Sequence, residues 1–142
     1  MDHIRPWLYI GKYRETLNFR LLTSLNITAV LLLAELVEHE GIVSCFLAVE
    51  DGELLPDDLL KKGVDFVIEQ KQQGGVILIA CGAGISRSAA YATAALKEVE
   101  GLTLLAAYHE VKRAHPVALP HMALWDSLCQ YYHEPISWIE IA

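Results

Sequence analysis

The chain has 142 residues, 54% hydrophobic and 20% charged, the make-up of one packed domain and not of a disordered segment. With 11 Lys and Arg against 18 Asp and Glu the formal net charge is −7, which argues against a broad nucleic-acid surface built on basic phosphate contacts. Three cysteines, Cys45, Cys81 and Cys129, make an odd number without metal-ligand spacing, so neither a zinc site nor a disulfide framework is expected. No apolar run approaches the ~18 residues of a membrane span, and the opening MDHIRPWLYIG lacks a basic region followed by a long apolar stretch. A cytoplasmic, reducing setting is the expectation.

Taken in order, Leu8 to Ile10 predicts a short strand ended by Gly11. Asn18 to Leu25 predicts a short helix capped by Asn18, with Leu21, Leu22 and Leu25 on one side. Ile27 to Ala34, ITAVLLLA, reads as a strand covered on both faces. After the polar turn from Glu35 to Gly41, Ile42 to Val49 reads as another buried strand, delivering the chain into Glu50-Asp51-Gly52-Glu53. Pro56 opens a helix with Asp57 and Asp58 in its first turn and Leu60, Val64, Val67 and Ile68 on one face, stopped by Gly74-Gly75. Val76 to Ala80 is a further buried strand.

An Ala-rich helix then runs from between Ser86 and Ser88 to Glu100, ending at Gly101. Thr103 to His115 predicts a helix capped by Thr103 with Leu104, Tyr108 and Val111 on one stripe. Pro120 to Tyr132 predicts the last helix, with Leu124, Trp125, Leu128 and Tyr132, followed by a short tail over 136–142. There are no repeats or linkers, so residues 1–142 are expected to form a single domain. Strands separated by helices predict an α/β fold with a central, mostly parallel sheet of four to five strands flanked by helices. Ligands on such sheets bind at the carboxyl ends of strands, where Cys81 and Asp51 are both expected.

The most informative stretch is GVILIACGAGISRSAAY, from Gly75 to Tyr91. Cys81 and Arg87 bound a C-x5-R loop, Cys-Gly-Ala-Gly-Ile-Ser-Arg, between a buried strand and a helix. Gly82 and Gly84 permit backbone conformations that turn consecutive N–H groups toward one point, and the helix start adds unpaired N–H groups and its positive dipole end. The expected product is an anion cradle made by Gly82, Ala83, Gly84, Ile85 and Ser86, with a thiol at its floor and the Arg87 guanidinium at its rim. A thiol beneath such donors ionises readily and would lie in line behind the phosphorus of a bound phosphate ester. Ser88 is placed to hydrogen-bond the sulfur and help it leave.

At these residues the chain resembles the dual-specificity protein phosphatases, a branch of the cysteine-based protein tyrosine phosphatases. Their loop reads His-Cys-x-x-Gly-x-Ser-Arg-Ser, and here stands Ala80-Cys81-Gly82-Ala83-Gly84-Ile85-Ser86-Arg87-Ser88. Ile4 to Gly11 resembles the family's opening strand, Leu25 to Val30 its next helix-to-strand step, and Ala48-Val49-Glu50-Asp51 its acid loop, so the likeness runs from Ile4 to about Glu134. The resemblance implies a protein-tyrosine-phosphatase-like fold, phosphorylated protein substrates and no cofactor or metal. It also implies that Asp51 is the proton donor to the leaving group, with Glu50, Glu53, Asp57 and Asp58 as competitors. One departure stands out. The family's His before the nucleophile is Ala80, which implies a thiolate less firmly favoured than in relatives. Cys45 is read as a core cysteine or as a partner for an oxidative disulfide with Cys81, and Cys129 as core. His115 and His121 flank a loop that in the family lies beside the active site.

The function expected is hydrolysis of phosphotyrosine, and of phosphoserine or phosphothreonine, in proteins through a cysteinyl-phosphate. The alternative is a catalytically weak phosphate-recognition module that binds phosphorylated partners, a reading favoured by Ala80. Membrane association is not expected, and the sequence leaves the oligomeric state open.

Overall fold

The computed structural model describes residues 1–142. Strands β1 (Asp2–Arg5), β2 (Leu8–Lys12), β3 (Ala29–Leu32), β4 (Val43–Phe46) and β5 (Ile77–Cys81) form one sheet in the order β1-β2-β5-β3-β4. β1 pairs antiparallel with β2, and every other pair is parallel. Six helices accompany it: α1 (Tyr13–Thr16), α2 (Phe19–Ser24), α3 (Asp57–Gln72), α4 (Arg87–Glu100), α5 (Leu104–Ala114) and α6 (Met122–Tyr132). The α/β architecture with a mostly parallel central sheet is therefore the one expected. No helix is long and apolar enough to cross a membrane.

Strand alternation divides the buried side chains between two cores. Ile77, Ile79 and Cys81 of β5, with Ala29 and Leu31 of β3, join the larger core of 32 buried residues, together with residues of α3 to α6. Leu78 and Ala80, with Val30 and Leu32, face the smaller core that Leu22 and Ile27 close on the other side. Cys81 and Ala80 thus point to opposite faces of the sheet. α4 is the central helix of the larger core, and every residue from Ser88 to Leu96 is buried. Its alanines keep it thin enough for α3, α5 and α6 to pack around it, a use of Ala beyond its helix propensity.

Where α3 crosses α4, Gly63 receives the ring of Tyr91. A Cβ at Gly63 would stand 2.3 Å from Tyr91 Cε1 and 3.1 Å from Leu47 Cδ1, and the ring is anchored by its hydroxyl donating to the Leu59 carbonyl at 2.8 Å. Gly63→Ala would gain about 1 kcal/mol of helix propensity. The overlap is expected to outweigh that and give a net loss of roughly 1–3 kcal/mol. Urea denaturation checks this, and an unchanged or higher midpoint would show that Tyr91 yields freely.

Several expectations are corrected. Gly11 lies inside β2 and does not end it. The strand over Ile42 to Val49 shortens to β4, an edge strand with one neighbour, and Val43 and Phe46 are exposed instead of buried. An apolar run alone does not reveal which strand ends at the edge. Pro120 does not open α6; His121 caps it, its Nδ1 accepting from the Ala123 N–H at 3.1 Å. The tail forms a short 3₁₀ turn at Trp138–Glu140, pinned by Trp138 Nε1 donating to the Pro120 carbonyl and Trp125 Nε1 to the Ile136 carbonyl. The caps at Asn18 and Thr103 form as expected, each accepting from an N–H three residues on at 3.1 Å.

At the opposite edge, Arg5 of β1 is clamped by Glu100 of α4 and Glu110 of α5. Its hydrogen bonds hold both carboxyls below the usual carboxylate range. Their contribution is present at neutral pH and is lost as pH falls through that lowered range, and partial exposure keeps it small.

Candidate active site

β5 ends at Cys81 and α4 begins at Arg87, so the C-x5-R loop spans the carboxyl end of the central strand and the start of the central helix. Asp51, Cys81, Ala83, Ile85, Ser86 and Arg87 line a cleft of about 190 Å³. Cys81 is buried, 2% exposed, and its sulfur lies 3.2 Å from the buried Ser88 Oγ. Asp51 is brought to the same cleft, though it belongs to the loop beyond β4 and not to a strand end. Glu50 and Glu53 line a different depression with Leu54 and Pro56, and Asp57 and Asp58 occupy the first turn of α3.

Arg87 is oriented by the backbone. Its Nη1 donates to the Leu33 carbonyl just past β3 at 3.3 Å and to the Val49 carbonyl at 3.0 Å. The guanidinium therefore ties the base of the acid loop to the sheet. Its Nη2 lies 3.1 Å from where a Gly82 Cβ would be, so a larger residue at 82 would crowd it. Gly84 has φ +71, and a Cβ there would lie 2.9 Å from the Gly11 carbonyl oxygen. Glycine at 84 lets the loop descend onto β2. At Gly11 a Cβ would itself come 2.9 Å from Glu15 Oε1, which explains a glycine inside a strand.

Ser86 occupies the N-cap of α4, yet its side chain makes no cap hydrogen bond. Its hydroxyl donates to Asp51 Oδ1 at 2.6 Å and accepts from the His121 N–H at 2.7 Å. The first N–H groups of α4 thus remain free of side-chain caps, which suits an anion. The Asp51 carboxyl is held over the loop by one oxygen.

Cys45 does not approach Cys81. It pairs with Leu31, and Leu31 with Ile79, two residues before Cys81. Two strand spacings of about 4.8 Å and two rises of about 3.3 Å put the Cα atoms roughly 12 Å apart, beyond the ~7 Å limit for a disulfide. An oxidative Cys45–Cys81 bridge is thereby ruled out in this fold. Burial raises the thiol pKa of both Cys45 and Cys129.

Sequence reasoning did not find the part played by His115, which is buried with Nε2 2.5 Å from the Gly84 carbonyl oxygen and Nδ1 2.5 Å from Asp2 Oδ2. Nothing in its local sequence signals this, because both partners are remote along the chain. His121 has its ring nitrogen engaged in the cap, and its ring lies against Gly52, beside Asp51.

A mostly parallel sheet whose central strand ends in a cysteine loop feeding a helix N-terminus is the architecture of the cysteine-based protein tyrosine phosphatase superfamily. Within that superfamily the chain belongs to the dual specificity phosphatases: the family model described as the dual specificity phosphatase catalytic domain matches residues 8–134. It is 31% identical over 122 residues to "Dual specificity protein phosphatase 1" of Arabidopsis thaliana, covering 83% of this chain and 62% of that one. The structure superposes on that of human DUSP28 with a TM-score of 0.86 at 28% identity, covering 94% and 96% of the two chains. A mouse putative dual specificity phosphatase, complexed with zinc tungstate, gives 0.86 at 30% identity, covering 93% and 86%. The chain spans 62%, 20% and 35% of the lengths of three curated relatives it matches.

Proposed function

We propose that this chain hydrolyses phosphomonoesters of tyrosine, and of serine or threonine, in proteins through a cysteinyl-phosphate. The observation that carries this reading is one cleft holding Cys81, Arg87 and Asp51 at the uncapped start of α4. The thiolate of Cys81 attacks phosphorus while the bond to the ester oxygen breaks. Loop amides from Gly82 to Ser86 and the Arg87 guanidinium bear the charge on the equatorial oxygens. Asp51 gives its proton to the departing oxygen. Ser86 donates to Oδ1, so Oδ2 is the atom free to carry that proton. Water then attacks phosphorus, its proton passes to Asp51, and the P–S bond breaks with Ser88 donating to the departing sulfur. Thiol and carboxyl supply the whole sequence, which calls for no metal or cofactor, and a reducing compartment suits the thiol. Release of phosphate from p-nitrophenyl phosphate by the wild-type protein is the direct test.

Ala80 favours a second reading, a phosphate-recognition module with weak turnover. Ala80 is buried in the smaller core with Leu22, Val30, Leu32 and Leu78. Ala80→His is expected to increase iodoacetate alkylation of Cys81 at mildly acidic pH, as the family's His implies. Packing an imidazole into that cluster is expected to cost about 1–3 kcal/mol in thermal stability. Alkylation at or below the wild-type rate in the folded variant would refute the assigned effect of position 80.

A further inference from the structure

We propose that the connector between α5 and α6, residues 115–121, is a positioning strap for the phosphate cradle, and that His115 is its anchor. The inference rests on the phosphatase reading and deepens it. Three successive loop residues are held by three donors of this connector. The Gly84 carbonyl faces His115 Nε2 at 2.5 Å, the Ile85 carbonyl accepts from the Leu119 N–H at 2.9 Å, and Ser86 Oγ accepts from the His121 N–H at 2.7 Å.

The consequence follows from peptide planarity. In a trans peptide the C=O of one residue points opposite to the N–H of the next. The strap fixes the outward direction of the Gly84 and Ile85 carbonyls, and so it sets the opposite direction of the Ile85 and Ser86 N–H groups. Two cradle donors are thereby aimed before any anion arrives, and their orientation costs nothing at the moment of binding.

His115 suits the anchoring role. It is 6% exposed, and its other nitrogen lies 2.5 Å from Asp2 Oδ2 on β1. The Gly84 carbonyl can only accept, so Nε2 is the donor of that contact. The ring thereby bridges the sheet edge to the loop. His115 touches neither the proposed substrate nor the reacting sulfur; it acts through Gly84.

The test measures inorganic tungstate binding by calorimetry, with folding of each variant verified by circular dichroism. His115→Leu is expected to bind tungstate about tenfold more weakly than wild type. His115→Gln, whose amide N–H reaches the Nε2 position, is expected to stay within about twofold. If His115→Leu fails to fold, His115→Asn takes its place: it keeps a donor near Asp2, is too short for Gly84, and is expected to show the same loss. Wild-type affinity in the folded Leu or Asn variant overturns the strap. A Gln variant as weak as Leu overturns it too, because packing and not N–H donation would then be at work. A wild-type protein that binds no tungstate instead overturns the phosphatase reading on which the strap depends.

Discussion

Replacing Cys81 by serine is expected to lower kcat on p-nitrophenyl phosphate by on the order of 10⁵-fold, with oxyanion binding retained. The exchange of sulfur for oxygen keeps the side chain's size and its neighbour Ser88, 3.2 Å away. The loop and Arg87 are untouched, since the guanidinium is held by the Leu33 and Val49 carbonyls and not by the thiol. What is lost is the proposed nucleophile, because an alcohol is a far weaker nucleophile than a thiol in this role. Removing a negative sulfur from beneath a dianion also relieves repulsion, so tungstate affinity should equal or exceed that of wild type. Steady-state kinetics and calorimetry on the same preparation provide both readings. A serine variant retaining more than about one hundredth of the wild-type rate would place the nucleophile elsewhere.

Asp51→Asn carries the second large effect, and it depends on the leaving group. General acid catalysis contributes about 10²–10⁴-fold where the departing oxygen needs a proton. Phenyl phosphate and phosphotyrosine peptides should lose that much, whereas p-nitrophenyl phosphate, whose anion leaves unaided, should lose far less. The wild-type pH profile is expected to be bell-shaped, because the thiolate and the protonated carboxyl must coexist. On the proposed roles the rate falls at higher pH for want of the donated proton, and that fall should disappear in the Asn variant. The Asn side chain can still accept from Ser86, so the loop position is preserved and the comparison isolates the proton. Equal losses on both esters would move the acid role to another group.

The C-x5-R loop was legible because its chemistry is local. Cys81, Arg87, the two loop glycines and the following helix lie within one short stretch, and strand and helix signals flank it. Periodicity likewise revealed α3, α5 and α6, an Ala-rich run revealed α4, and the caps at Asn18 and Thr103 were readable from single residues beside apolar runs. Edges were not legible. Val43 and Phe46 carry the same apolar character as β3, and only the strand order exposes them. The suggested Cys45–Cys81 bridge failed for a related reason, because adjacency of β5 and β4 is interrupted by β3.

The sequence by itself determined the loop that joins Cys81 to Arg87, the helix that follows it and the α/β alternation, since each is written in neighbouring residues and in repeat distances of two or of three to four. Tertiary structure alone decided how the site is held. Ser86 spends its hydroxyl on Asp51 instead of capping its own helix, His115 reaches from α5 to Gly84 and to Asp2, and Gly11 clears the way for Gly84. Those contacts join residues far apart along the chain, and hydrogen bonding and close packing select them only once the sheet has set the distances.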